Sequence, residues 1–171
     1  LYQLLNTKII QIIENLAKQT NPETPAVLTG HISVAGASFG SEQKVTFGKD
    51  IAVPLHPLTK GIWQYIALGH IHKYQILNEN PPVVYSGSID RVDFGEEKED
   101  KGFVEVEITQ APNFGYQTSF KFIPVPSRKF LTIKVDLENA SLDPSKIVLD
   151  AIQKCELKDK VVRVVISGPS G

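Results

Sequence analysis

The chain lacks several features that would place it in a special class of proteins. Among its 171 residues is a single cysteine, Cys155, so no disulfide can form within the chain, which is typical of a reducing compartment. No apolar run approaches the ~18 residues that a membrane-spanning helix needs. No signal peptide is recognisable either. We therefore expect a cytoplasmic protein with no membrane partner.

Methionine is absent altogether, including an initiator. The chain opens on "LYQLLNTKIIQIIENLAKQ", which has the pattern of a helix already under way, so we expect a fragment of a longer protein. The net charge is -1, and 42% of residues are apolar. This composition is that of a globular protein with a sizeable core. It excludes a strong overall basic field but leaves room for a local basic groove.

Hydrophobic periodicity predicts helices and strands in mixed order. Residues 1–19 have helical spacing, and Pro22 follows their end. The predicted apolar face of this helix comprises Tyr2, Leu5, Ile9, Ile12, Ile13 and Leu16. Apolar or alternating runs predict strands at residues 26–29, 44–48, 51–55, 63–69, 81–85, 102–108, 116–125, 130–137 and 159–167. Asp143 as N-cap and Pro144 at the first helical position predict a second helix over residues 143–155.

These elements predict an α/β (α+β) fold in two parts. The runs at 102–108 and 116–125 are expected to form a hairpin. The last strand, helix and strand would form a small β-α-β unit. We place the boundary near "PVPSR", which gives domains at residues 1–125 and 126–171.

Two of the four histidines lie one residue apart in "YIALGHIHKYQ", where an apolar strand ends. In an extended segment, His70 and His72 would point the same way. His31 also follows an apolar strand and a glycine, in "VLTGHISVAG". If the two strands are neighbours, the three histidines meet at the carboxyl edge of one sheet, where ligands commonly bind. Imidazole is a good ligand for transition metals, so this pattern favours a metal site.

Simpler interpretations remain open at this point. Gly-His-x-His is a weak pattern by itself, and His56, between prolines, is interpreted as structural or incidental. A hydrolytic metal centre also needs carboxylates, which three histidines do not supply. The nearby acids lie in a charge-rich loop interpreted as a solvated turn. They are Asp90, Asp93, Glu96, Glu97, Glu99 and Asp100.

Three blocks, "LTGHISVAGA", "YIALGHIHKYQ" and "VVYSGSIDRVDFGEE", occur in this order. Together they resemble the SbcD family, the nuclease subunits of bacterial SbcCD exonucleases, which belong to the calcineurin-like metallophosphoesterases. The resemblance is good over roughly residues 1–110. It implies half of a metallophosphoesterase β-sandwich with a flanking helix, followed by part of a small capping domain. The third block narrows the resemblance from phosphoesterases in general to these nucleases.

The resemblance also implies a set of metal ligands. His31 and His70 would bind one Mn²⁺ ion and His72 a second, with Mg²⁺ as an alternative metal. The family's other ligand motifs, Asp-x-His, Gly-Asp-x-x-Asp and Gly-Asn-His-Asp, do not occur in this chain. The catalytic general-acid histidine belongs to the last motif, so no catalytic residue is assigned here. We expect the chain alone to bind metal weakly and not to cleave DNA.

Residues beside the histidines are candidates for substrate binding. Backbone N–H groups of Ser86, Gly87 and Ser88 could face a phosphate, or these residues could form a plain turn. Arg91 could pair with a phosphate or with Asp93. Lys73 could face the DNA backbone or be an ordinary exposed lysine.

The function predicted from the resemblance is that of part of a Mn-dependent DNA exo/endonuclease subunit in repair and recombination. Its expected partners are DNA, an SbcC-type ATPase and a second copy of the chain. The ATPase would bind the nucleotide, since this chain has no P-loop. One alternative is a metallophosphoesterase for small phosphodiesters. Another is a non-catalytic module that binds DNA or a partner.

Overall fold

A computed structural model describes residues 2–40, 51–112, 115–137 and 143–168. The helices are α1 (Tyr2–Gln19), α2 (His56–Thr59) and α3 (Pro144–Gln153), with a 3-10 turn at Phe94–Glu96. The strands are β1 (Ala26–His31), β2 (Ser33–Val34), β3 (Ala52–Val53), β4 (Trp63–Gly69), β5 (Gln75–Glu79), β6 (Pro82–Tyr85), β7 (Gly102–Gln110), β8 (Tyr116–Pro124), β9 (Lys129–Asp136) and β10 (Lys160–Ser167). Helices and several sheets confirm the mixed α+β class.

The central sheet has the strand order β1-β4-β6-β5. Strands β1, β4 and β6 are parallel, and β5 pairs antiparallel with β6. Parallel strands are usually covered on both faces, so they carry bulky apolar residues throughout. Both β4 and β6 follow this rule: Ile66, Val83 and Tyr85 have no exposed surface. This burial explains why "WQYIALG" and "PPVVY" are recognisable as strands in the sequence.

Helix α1 packs on this sheet with a narrower face than predicted. Ile13 is buried, and Ile9 and Ala17 pack on the core beside it. Ile12 and Leu16, which were placed on the buried face, are instead 58% and 44% exposed. A single layer of sheet covers only a limited arc of a helix, so residues at the flank of the predicted face remain in solvent. The helix ends where the Thr20 hydroxyl donates to the Leu16 carbonyl at 2.8 Å.

Strands β7 and β8 form the predicted antiparallel hairpin. Along β7 the valines are partly buried while Glu105 and Glu107 are exposed, as the alternation predicted. The hairpin packs on β4 through the Tyr65 and Phe120 rings, whose centroids lie 6.0 Å apart. It also packs on the segment before β5, where the Tyr74 and Phe122 rings stack at 4.5 Å. An apolar cavity of about 390 Å³ lies between sheet and hairpin.

The last part of the described chain has strands β9 and β10 paired in parallel. Asp143 caps α3 by accepting from the Lys146 N–H at 3.1 Å, and Pro144 opens the helix, as predicted. The division at residues 125/126 stays a prediction. The strand predicted at residues 44–48 lies outside the described residues. Strand β5 was not predicted, because "QILNE" shows neither clear alternation nor a long apolar run. Among the described residues, no helix is long and apolar enough to cross a membrane.

Candidate functional site

Strands β1 and β4 are parallel neighbours, as the histidine hypothesis required. Their register pairs His31 with Gly69, so His70 begins the segment directly beside it. The His31 and His70 rings lie edge to face, with centroids 5.4 Å apart. A Cβ atom on Gly69 would lie 3.0 Å from Nδ1 of His31. The glycine before the histidine therefore makes room for the neighbouring imidazole.

His72 does not follow His70 on an extended strand. Strand β4 ends at Gly69, and His70 has φ +98°, which an L-residue rarely adopts. The prediction that His70 and His72 point the same way from one extended segment is therefore wrong. Ile71 is 1% exposed, so it anchors this turn in the core between the two histidines.

The imidazole of His72 contacts a buried carboxylate. Its Nδ1 lies 2.8 Å from Oε1 of Glu96, whose side chain has no exposed surface, while the His72 side chain is 35% exposed. A carboxylate at Nδ1 favours the tautomer with hydrogen on that nitrogen and fixes the ring orientation. The other nitrogen, Nε2, then carries the lone pair that can bind a metal.

Lys101 neutralises this carboxylate and also holds the backbone of His72. Its side chain is 1% exposed, and Nζ lies 2.8 Å from Oε2 of Glu96 and 2.9 Å from Oε2 of Glu99. Nζ also donates to the His72 carbonyl at 3.1 Å. An ammonium group has three donors, and each has an acceptor here. His72 is thus held through its ring by Glu96 and through its backbone by Lys101.

Two opposing influences act on the pKa of Glu96. Burial raises it, but hydrogen bonds from Lys101, the Val92 N–H and His72 outweigh burial and bring the pKa below its usual value. Glu96 is therefore an ionised acceptor at neutral pH. The interpretation of the charge-rich loop as a solvated turn is wrong for Glu96, and Lys101 is buried beside it. Both are buried because each neutralises the other.

Ser86, Gly87 and Ser88 follow strand β6 and lie against the histidine segment. Gly87 has φ +77°, and a Cβ there would lie 2.8 Å from the His72 carbonyl oxygen. The Ser88 N–H donates to this same oxygen at 3.0 Å. The Ser88 N–H is therefore used within the chain. Ser86 lines a shallow groove of about 510 Å³ together with His31.

Arg91 is a brace between segments in this structure. It is 8% exposed. Its guanidinium donates to the Glu96 carbonyl at 3.2 Å, to the Ser127 hydroxyl at 2.6 Å, and to the carbonyls of Arg128 and Glu99. These contacts favour a structural role, and a contact between Arg91 and a phosphate stays a prediction. Lys73, in contrast, is exposed.

The donor chemistry of this site suits a transition-metal ion, but the set is incomplete. His31 and His70 are neighbouring imidazoles, and His72 is an imidazole braced by a carboxylate. Within the ranges that the structure describes, no group of three or more His, Cys, Asp or Glu side chains is arranged to hold a metal ion. Metal binding by His31, His70 and His72 stays a prediction. Sequence reasoning missed Glu96 and Lys101, because the sequence of a charge-rich loop does not show whether one of its ion pairs is buried.

These features define an α+β protein whose parallel sheet carries histidines at its carboxyl edge. Thirteen curated proteins match the chain at a significant level. One of them, the SbcD subunit of the SbcCD nuclease from Staphylococcus epidermidis, is 28% identical over 141 residues. That match covers 80% of this chain and 35% of the relative, so the chain spans about a third of the relative's length. The comparison with protein-family models found no match. The chain is thus distantly similar to a nuclease subunit.

Proposed function

We propose that this chain supplies the histidine half of a two-metal centre in a Mn²⁺-dependent DNA exo/endonuclease of the SbcD type. The observation that carries the proposal is the packing of His31 against His70, followed two residues along the chain by a histidine braced by a buried carboxylate. The similarity to a nuclease subunit supports it. In this proposal His31 and His70 bind one ion and His72 the other.

Two divalent ions would activate a water molecule and neutralise charge that develops on the phosphodiester. The residues of this chain would hold the metal ligands in place and orient their rings. The Glu96 carboxylate fixes the ring of His72, and the packing across Gly69 fixes His31. The groove beside Ser86 and the exposed Lys73 are proposed to receive the sugar–phosphate backbone, since Lys commonly contacts phosphate.

Charge balance explains why this chain would not act alone. Neutral imidazoles cannot offset two dications, so the proposed centre needs carboxylates from outside the described residues. We accordingly propose weak metal binding and no DNA cleavage by this chain in isolation. The complete protein would act in the cytoplasm, in DNA repair and recombination, together with an SbcC-type ATPase. A strong Mn²⁺-dependent nuclease activity from the isolated chain would contradict this division of roles.

The test is a cleavage assay on the full-length gene product with linear duplex DNA and Mn²⁺. His72→Ala is expected to abolish cleavage. His56→Ala is the matched control, because His56 is exposed on α2 and is not one of the proposed ligands. Cleavage that survives His72→Ala would refute the site. A length series from dinucleotides to duplexes distinguishes a DNA nuclease from an enzyme for small phosphodiesters.

A non-catalytic binding module is the second candidate. It is favoured by the incomplete ligand set within the described residues. The measurement that separates it is Mn²⁺ binding to the full-length product by isothermal calorimetry. If no binding is detected, and if no cleavage occurs in the presence of the ATPase partner, the module proposal stands and the nuclease proposal fails.

We also propose that α1 packs against a second copy of the protein. Leu4, Ile12 and Leu16 lie on one side of the helix and are 57%, 58% and 44% exposed. An exposed apolar stripe of this kind is typical of an interface. Ile12→Glu is expected to convert a dimer into a monomer by light scattering. Leu149→Glu on α3, at 56% exposure, is the control. A monomeric wild-type protein would refute this interface.

A further inference from the structure

The 3-10 turn at Phe94–Glu96 lies between the histidine site and the β9-α3-β10 unit. Glu96 contacts the histidine site, and the next residue, Glu97, contacts the β9-α3-β10 unit. Glu96 contacts the His72 ring at 2.8 Å. Glu97 instead contacts Thr132 on β9. Two consecutive carboxylates therefore join parts of the chain that are otherwise far apart in sequence.

Glu97 makes a two-point contact with β9. Its Oε1 accepts from the Thr132 N–H at 3.0 Å, and its Oε2 accepts from the Thr132 hydroxyl at 2.6 Å. Arg163 on β10 donates to that same hydroxyl at 3.0 Å. At this point on the edge of β9, the Glu97 carboxylate accepts the backbone hydrogen bond that a neighbouring strand would otherwise accept. These hydrogen bonds from the Thr132 side chain and backbone lower the pKa of Glu97, with smaller contributions from Arg163 and Lys98.

Aromatic packing fixes the same turn from a second direction. The Phe94 and Phe130 rings meet edge to face, with centroids 4.8 Å apart. The Arg163 guanidinium lies over the Phe94 ring, 4.3 Å from its centroid. Edge-to-face aromatic pairs and cation–π contacts of this geometry are stabilising. The turn is therefore held by β9 and β10 together, rather than by its own few residues.

Arg91 connects these two sets of contacts. It donates to the Glu96 carbonyl and, on the other side, to the Ser127 hydroxyl and the Arg128 carbonyl. The latter two residues lie in the connection that leads into β9. A shift of the β9-α3-β10 unit would consequently move the backbone that carries Glu96. Since Glu96 is fully buried, its carboxylate cannot compensate by moving through solvent.

We propose that Glu97 and Thr132 are positioning residues for the His72 imidazole, acting through Glu96. Docking of the β9-α3-β10 unit on the turn sets where the Glu96 carboxylate lies, and that carboxylate sets the tautomer and orientation of His72. The role assigned to this placement, presentation of Nε2 to a metal, rests on the proposed function. The proposal that a remote unit positions the His72 ring does not depend on the proposed function.

The first test is made on metal-free, full-length gene product with ¹⁵N-labelled histidine. The ring ¹⁵N shifts report the tautomer and hydrogen bonding of His72 directly, and the signals of His31, His70 and His56 serve as internal references. Glu97→Ala is expected to move the His72 ring signals. Glu97→Gln is the conservative variant, since its amide retains one acceptor for the Thr132 N–H and adds a donor for the hydroxyl. It is expected to restore most of the wild-type spectrum.

Glu105→Ala is the matched control, because it removes an exposed carboxylate that pairs with Lys121 far from the turn. It is expected to leave His72 unchanged. A second pair uses threonine: Thr132→Val against Thr118→Val, whose hydroxyl donates to the Gln64 carbonyl at 2.9 Å. Thr132→Val loses the hydrogen bonds of its hydroxyl with Glu97 and Arg163, and Thr118→Val loses the one with Gln64. Only Thr132→Val should move the His72 ring signals. His72 signals that stay unchanged in folded Glu97→Ala and Thr132→Val would overturn the proposal.

Mn²⁺ titrations of the same variants separate this inference from the proposed function. Removal of an outer-shell partner typically weakens metal binding by about 10- to 100-fold. Glu96→Gln is expected to lie in that range, and Glu97→Ala to give a smaller loss. One outcome is that Glu97→Ala shifts the His72 ring signals but His72→Ala leaves the Mn²⁺ affinity unchanged. In that case the positioning inference holds and the metal function fails. If His72→Ala abolishes Mn²⁺ binding while Glu97→Ala leaves both His72 and affinity unchanged, the reverse is true.

Discussion

The substitution Lys101→Met tests the buried charge cluster behind His72. Methionine retains a long apolar side chain that can fill the space of the lysine stem, but it removes the ammonium group. Glu96 would then keep its hydrogen bonds from His72 and from the Val92 N–H while losing its cationic partner at 2.8 Å. The His72 carbonyl would lose a donor as well.

The expected loss follows from burial. The Lys101 and Glu96 side chains are 1% and 0% exposed, so the carboxylate left behind has no solvent to take the place of its partner. Removal of one member of such a pair typically costs about 3–5 kcal/mol, mostly because an unpaired charge stays buried. We expect Lys101→Met to lower the free energy of unfolding by an amount in that range.

Urea unfolding followed by circular dichroism measures this loss, and Lys121→Met supplies the control. Lys121 pairs with Glu105 at 2.9 Å, but the two side chains are 64% and 59% exposed. Exposed pairs of this geometry contribute about 0–1 kcal/mol. Adding Glu96→Gln to Lys101→Met should recover part of the loss, because it removes the unpaired charge. Equal losses at both lysines, or no recovery in the double variant, would refute this reasoning.

Three further outcomes are expected. Gly87→Ala should destabilise the protein more than Gly36→Ala, because both glycines have positive φ but only Gly87 lies against backbone, 2.8 Å from the His72 carbonyl; equal unfolding midpoints would exclude the close approach. The pKa of Glu97 lies below its ordinary 4.5, so its contribution to stability is present above that pH and lost as pH falls below it. The stability difference between wild type and Glu97→Gln should shrink under acid unfolding, and a constant difference would contradict the shift. Burial, helped by the charge of Tyr74, raises the pKa of Tyr65 to about 12, so the absorbance titration of wild type minus Tyr65→Phe should have its midpoint there rather than near 10.

Much of the fold could be predicted because its strands are strongly patterned. "GFVEVEITQ" alternates along a half-exposed hairpin strand, and "WQYIALG" is apolar except for Gln64 because β4 is covered on both faces. Asp143 and Pro144 marked the start of α3, because a helix N-terminus needs a side-chain acceptor for its free N–H groups. Patterns of this kind arise from the local backbone conformation and from the number of faces that are covered. Both leave a periodic pattern of apolar residues in the sequence.

The histidine site was predictable only in part. The adjacency of His31 and His70 followed from two strand–Gly–His segments once β1 and β4 were taken as parallel neighbours. The direction of His72 did not follow, since the backbone turns at His70 rather than continuing the strand. A positive φ is rare for any residue other than glycine, so the apolar pattern of the strand did not predict the turn at His70.

The amino-acid sequence by itself determined the mixed class of the fold, most of its strands and the meeting of two histidines at a sheet edge. Only the tertiary structure decided which charges are buried. Glu96 and Glu97 are adjacent and identical in type, yet one braces His72 and the other holds Thr132. The reason is physical: whether a carboxylate is buried depends on the partners that surround it. Those partners, Lys101 included, come together only when the chain has folded.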